Sequence, residues 1–123
     1  MAYHWNDSQP IYLQLAEQIK DLILNDDVGT GEALPSVRQL AVDYQVNPIT
    51  VSKSYQILVD EALVEKKRGL GMFVSSNAKN ILKQEQRQAF INHQWPQVLQ
   101  KIEQLDIDID SLIESLKDTG SQS

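Results

Sequence analysis

The stretch "VNPITVSKSYQIL", residues 46–58, places a proline inside a run that otherwise reads as helix. Asn47 is a favoured N-cap and Pro48 a favoured first helical residue, because the N–H that proline lacks would find no intrahelical partner there. The proline therefore starts a helix. Val51, Tyr55, Leu58, Val59 and Ala62 recur at helical spacing as its buried stripe. Ile49, Thr50, Lys53 and Gln56 point outward, with Ser52 near the boundary. B-DNA's major groove admits one helix, and a helix's first turn carries N–H groups that favour phosphate. Side chains as short as Asn47, Thr50 and Ser52 let such a helix approach base edges, while Lys53 reaches a phosphate or a guanine. Taken alone, the same pattern fits a solvated helix face about as well.

The flanking segments tilt that balance. Upstream, "LPSVRQL" opens a helix of about three turns at Ser36, a good N-cap, with Val37, Leu40, Ala41 and Tyr44 as its buried side. Ser36 and the free N–H groups at that helix start suit a backbone phosphate. Arg38 suits a phosphate or, in a bidentate way, a guanine; its bland alternative is pairing with Asp43. An earlier helix runs from Pro10 to about Asn25 on Ile11, Leu15, Ile19, Leu22 and Ile23, and "NDDVGTGEALP" reads as loop. Downstream, "ALVEKK" and "MFVSS" are strand-like runs around "RGLG", whose Gly69 and Gly71 allow a tight hairpin. The order is helix, helix, turn, helix, hairpin. It predicts a mainly α (α+β) fold, a winged helix-turn-helix domain over residues 1–76, in which the wing lays Arg68 and Gly69 against the DNA backbone.

Residues 77–118 read as a helical tail. Pro96 is expected to start or kink a segment in it, and Asp108 to cap a last short helix. Val98, Ile102, Leu105, Ile109, Leu112 and Leu116 alternate by four and three, with Leu99 and Ile113 alongside. That stripe exceeds what a thin tail covers by folding on itself, so it is assigned to dimerisation with a two-fold mate. Residues 119–123 are expected to be disordered. Tyr3 and Trp5 are expected to pack the N-terminal arm and Trp95 the tail.

Composition narrows the classes. The chain of 123 residues has no cysteine and no apolar run near the ~20 residues a membrane span needs, so a cytoplasmic protein without disulfides is expected. Its N-terminus shows no secretory signal. The net charge of -6 argues weakly against nucleic acid, yet residues 36–76 carry +1 while both ends are acidic. His4 and His93 stand apart from other ligand types, and "DIDID" lacks the glycine and final glutamate of a calcium loop. No cofactor, metal or catalytic constellation is expected.

"PIYLQLAEQIKDLI" followed by "GEALPSVRQLAVDYQVNPITVSKSYQILVDEALVEKKRGLGMFV" resembles the N-terminal DNA-binding domain of the GntR family of bacterial transcriptional regulators. The pattern "VNP-TV-K-Y" and the short tail are similar to its YtrA-type subfamily. The resemblance implies a homodimer on double-stranded DNA carrying an inverted repeat, usually a repressor. It implies DNA contacts from Ser36, Arg38, Asn47, Pro48, Ile49, Thr50, Ser52, Lys53, Tyr55, Arg68 and Gly69. Many members have arginine or another polar residue where Pro48 and Ile49 stand, which leaves Ile49 a thymine methyl to touch. Ala62 replaces a glycine common before the first strand, so a strained or re-routed helix end is expected there, at on the order of 1 kcal/mol. The tail is too small to enclose a ligand as larger effector domains do, and the sequence names no small-molecule effector. Two other classes stay open: a winged-helix protein-interaction module without DNA binding, and a fragment of an aminotransferase-like fusion.

Overall fold

The computed structural model of the protein describes residues 4–121. The chain divides into two units, one up to Gln84 and one from Glu85 onward.

In the first unit, helix α1 (Ile11–Leu24) starts without a side-chain cap from Pro10. Its entry is tied instead by Gln14, whose Nε2 donates to the carbonyls of Asn6 (2.6 Å) and Gln9 (2.9 Å). Helix α2 (Val37–Tyr44) starts at Ser36, whose Oγ accepts from the Gln39 N–H at 3.1 Å. Helix α3 (Pro48–Asp60) starts at Asn47, whose Oδ1 accepts from the Ile49 N–H at 2.9 Å. Strands β1 (Val64–Lys67) and β2 (Gly71–Val74) pair antiparallel, from Val64 opposite Val74 to Lys67 opposite Gly71. The loop expected before α2 is more ordered than its glycines suggest. Leu34 N–H donates to Met72 O (2.8 Å) and Gly31 N–H to Val74 O (2.9 Å), while Val74 N–H donates to Glu32 O (2.9 Å). Residues 31–34 thus run along the free edge of β2, with Ala33 bridging Phe73.

Leu15, Ile19 and Ile23 of α1, Leu40 of α2, Val51 and Leu58 of α3, and Leu63, Val64 and Val74 around the hairpin form one buried core. Ala78 and Leu82 of helix α4 (Ala78–Ala89) belong to it too. Lys79 adds an ion pair to Asp26. The first unit therefore extends past residue 76, where the sequence put its end. Trp5 packs against the same core, its ring centroid 6.1 Å from that of Tyr44; Tyr3 lies outside the described residues.

Four helices close in one way. After α1, α2, α3 and the later helix α5 (Trp95–Gln104) the chain turns through a left-handed residue: Asp26 (φ 63°), Gln45 (55°), Ala62 (61°) and Asp106 (52°). In each case the next N–H reaches back to a carbonyl in the last turn: Asp27 to Leu22, Val46 to Ala41, Leu63 to Leu58 and Ile107 to Ile102, at 2.8–3.1 Å. None of the four is glycine. At Ala62 the expected strain is present, and the helix end is an ordinary closing turn held by an unfavourable residue.

In the second unit, Phe90–Gln94 forms a π-helical turn that leads directly into helix α5 (Trp95–Gln104). Trp95 N–H donates to Phe90 O, five residues back. Pro96 would clash with the carbonyl four residues before it in a regular helix, and the widened turn accommodates it, so the helix is not broken. Trp95 lies near Phe90, centroids 6.3 Å apart. Helix α6 (Ile109–Ser121) begins at Asp108, whose Oδ1 accepts from the Asp110 N–H at 3.4 Å. It is longer than the short helix expected. Residues 119–121, assigned to a disordered tail, are helical; 122 and 123 lie outside the described residues.

Candidate nucleic-acid interface

The outward face of α3 is set by what its inward face must bury. Val51, Ser54, Tyr55 and Leu58 are at most 2% exposed. Helical spacing then leaves Ile49, Ser52, Lys53 and Gln56 in solvent, with Thr50 half-buried. Asn47 and Pro48 are exposed at the start of the helix, as are Ser36 and Arg38 at the start of α2 and Arg68 and Gly69 in the wing. Ser36 and Val37 face Leu70 and Gly71 of the wing across a cleft of about 410 Å³, with Tyr55 in its floor.

Tyr55 is corrected. Expected beside the DNA contacts, it is 2% exposed, and its hydroxyl donates to Pro35 O at 2.5 Å. Burial, with a smaller contribution from Tyr44, raises its pKa far above the ordinary 10.0. Tyr55 supports the interface from beneath by tying α3 to the residue before Ser36.

The two helix starts offer different chemistry. At α3, Pro48 has no N–H, Ile49 N–H is taken by Asn47 Oδ1, and those of Thr50 and Val51 by Asn47 O at 2.9 and 3.2 Å. The free N–H groups expected at the recognition helix are absent, leaving its dipole and side chains. At α2, Ser36 Oγ takes only the Gln39 N–H, and Leu40 N–H returns to Ser36 O. The N–H groups of Val37 and Arg38 have no partner among the described residues. α2 is therefore the start with donors to offer an oxyanion.

Charge is sorted by pairing as well as position. Lys20, the single cation among the first 35 residues, is 7% exposed and bridges Glu61 (2.8 Å) and Glu17 (3.3 Å). Burial alone would lower its pKa; Glu61 and Glu17 outweigh burial and raise it. Lys20 is structural and cannot serve a phosphate, which its place on a polar-looking sequence did not reveal. Among the described residues, Arg38, Lys53, Lys66, Lys67 and Arg68 form no ion pair. Asp43, the expected alternative partner of Arg38, accepts from Gln39 Nε2 at 2.8 Å. Lys67 lies 4.7 Å from the centroid of the Phe73 ring. Gly69 (φ 78°) and Gly71 (φ 119°) turn the wing through the left-handed region, closed by Leu70 N–H to Lys67 O at 2.9 Å.

Ser54 was missed by sequence reasoning. It is fully buried, and its Oγ donates to Tyr12 O at 2.7 Å, with Thr50 O at 3.1 Å. The available signal was a small polar residue lying between Val51 and Leu58 on the apolar stripe. No group of His, Cys, Asp and Glu among the described residues could hold a metal ion.

The family model for bacterial regulatory proteins of the gntR family matches residues 11–74, from the start of α1 to the end of β2. The chain belongs to the gntR family. This gntR-family chain is a transcriptional regulator with a winged-helix DNA-binding domain. It is 38% identical to the HTH-type transcriptional repressor YtrA of Bacillus subtilis (strain 168) over 114 residues, 93% of this chain and 87% of that one. Its structure is similar to a GntR family transcriptional regulator from Listeria monocytogenes, with a TM-score of 0.68 and 26% identity, covering 93% of this chain and 98% of the other. A likeness of fold alone links it to AraR(DBD) in complex with operator ORX1, at 24% identity and a TM-score of 0.53, over 61% of this chain and 92% of that one. The relatives named are regulators of transcription, not enzymes.

Proposed function

We propose that this regulator is a repressor that binds an inverted-repeat operator as a homodimer, placing α3 in the major groove. The observation that carries the reading is the set of unpaired cations Arg38, Lys53 and Arg68 on the start of α2, on α3 and on the wing. Ser36, Arg38 and the two free N–H groups of α2 take backbone phosphate. Asn47, Ile49, Thr50, Ser52 and Lys53 address base edges, with Pro48 fixing the helix start and Ile49, 65% exposed, suited to a thymine methyl. Arg68 and Gly69 bring the wing to the backbone.

Dimerisation is assigned to the second unit, in which none of the described residues is buried. Val98, Leu99, Leu105, Ile109, Ile113 and Leu116 are exposed, and Ile102 and Leu112 are half-buried. Helices α5 and α6 leave an open cleft of about 900 Å³ lined by Val98, Ile102, Leu105, Ile107 and Leu112. A second copy would cover these residues and set the spacing of the two recognition helices. Action on chromosomal DNA places the protein in the cytoplasm, and no helix among the described residues is long and apolar enough to cross a membrane.

The test is enrichment of targets from a randomised duplex pool at near-physiological salt. The expected product is an inverted repeat with half-sites about ten base pairs apart, centre to centre. A folded dimer that enriches nothing would refute the reading. The double variant Ile102→Asp, Leu105→Asp should sediment as a monomer at micromolar concentration; a persisting dimer would remove the second unit from that role.

A further inference from the structure

We propose that Tyr12, in α1 and outside the helix-turn-helix, is a positioning residue for Lys53 on the recognition helix. The inference deepens the DNA-binding function proposed above and rests on it. Lys53 Nζ lies 5.6 Å from the centroid of the Tyr12 ring. Tyr12 is half-buried and Lys53 exposed, so the ring is the supported partner and the ammonium the one free to reach outward. The backbone that carries the ring is anchored to the recognition helix. Tyr12 O accepts a 2.7 Å hydrogen bond from Ser54, which is fully buried and next to Lys53 in the chain. The joint that fixes α1 against α3 therefore also sets where the Tyr12 side chain leaves its backbone relative to Lys53.

The chemistry of the partner matters. A carboxylate would hold Lys53 but cancel its charge towards DNA, and among the described residues Lys53 has no carboxylate partner. An aromatic face attracts the ammonium through its quadrupole and leaves the full positive charge in place. A lysine otherwise loses side-chain freedom when it meets a phosphate or a guanine; one already resting on a ring loses less. The effect on affinity is that of an exposed cation–π contact, about two- to fivefold.

The experiment uses the full chain and its selected duplex, titrated with salt, together with NMR of the free protein. Tyr12→Leu should weaken binding about two- to fivefold without changing the slope of log affinity against log salt, since no charge is removed. Lys53→Met should weaken binding, lowering that slope by about one for a phosphate contact or changing the preferred half-site for a guanine contact, and in its background Tyr12→Leu should have no further effect. Tyr12→Phe keeps the ring and should match the parent protein. In the free protein, the Lys53 ε-methylene protons should carry an upfield ring-current shift that Tyr12→Phe keeps and Tyr12→Leu removes. Absence of that shift overturns the proposal whatever the binding data show. So does an equal loss in both lysine backgrounds, which would make Tyr12 merely structural, or a loss in Tyr12→Phe as large as in Tyr12→Leu, which would assign the effect to the hydroxyl. If the shift is present but the parent protein binds no duplex, the DNA-binding function falls and the role of Tyr12 with it.

Discussion

Ala62→Gly should stabilise the winged unit. Ala62 sits at φ 61° in the turn that closes α3, held by Leu63 N–H to Leu58 O at 2.9 Å and by its own N–H to Val59 O at 3.0 Å. An L-residue in this region costs roughly 1–2 kcal/mol, from the approach of Cβ to the following carbonyl. Glycine removes that cost but has greater freedom in the unfolded chain, worth about 0.5–1 kcal/mol relative to alanine. Ala62 is exposed, so little packing is lost with its methyl group. At the middle of those ranges the net gain is about 0.8 kcal/mol, which in a unit of this size raises Tm by roughly 3–6 °C. Thermal unfolding followed by circular dichroism reads it, at one fixed protein concentration because association shifts apparent Tm. Ala62→Val, β-branched at the same φ, should move Tm the other way, and DNA affinity should not change in the glycine variant. An Ala62→Gly Tm equal to or below that of the parent would refute the account of strain at this turn.

Other consequences concern the supports and the interface. Tyr55→Phe leaves Pro35 O without its donor and should cost about 1 kcal/mol at neutral pH in urea unfolding. Tyr55 and Lys20 both have folded pKa values raised above their ordinary 10.0 and 10.5. The stability they contribute is whole below pH 10 and lost as pH rises through the folded values, so urea midpoints should fall in alkali, less steeply in Tyr55→Phe. Lys20→Met keeps most of the buried stem and leaves Glu61, which solvent reaches, to hydrate; it should cost under about 1 kcal/mol, against roughly 1–3 for Lys20→Ala, and equal costs would show that the charge matters more than the stem. Arg38→Ala and Arg68→Ala should weaken binding about equally on all duplexes, whereas Thr50→Ala should change the preferred half-site; unchanged affinity in both arginine variants would remove those contacts.

What could be read from the chain alone was local. Ser36 and Asn47 as caps, Pro48 as a first residue, the turn at Gly69 and Gly71 and the buried stripes of α1, α2 and α3, except for Ile11 and Ala62, which are exposed, all depend on neighbours within about one helical turn. The positive φ at Ala62 was expected from the resemblance alone, since glycine is common there in the family. The outward face of α3 followed from the inward one, which is why nearly all the candidate contacts came out exposed. Thr50 is half-buried and Tyr55 alone came out buried: periodicity placed Tyr55 on the buried stripe while resemblance placed it with the contacts, and burial prevailed.

Tertiary structure decided what each covered group meets. Tyr55 finds its acceptor 20 residues away, Ser54 finds Tyr12 O 42 residues away, and Lys20 is neutralised by Glu61 from just past the end of α3. The pairing of residues 31–34 along β2 exists only because β2 has unpaired backbone groups to offer, and Ala78 and Leu82 extend the first unit only because the core has room for them. Even at Pro96 the outcome was chosen by the widened turn that relieves the ring. A sequence shows which side of an element must leave water, since burying apolar area is favourable whatever covers it. It does not show the partner, because hydrogen bonds and ion pairs are directional and depend on where the fold places the second group.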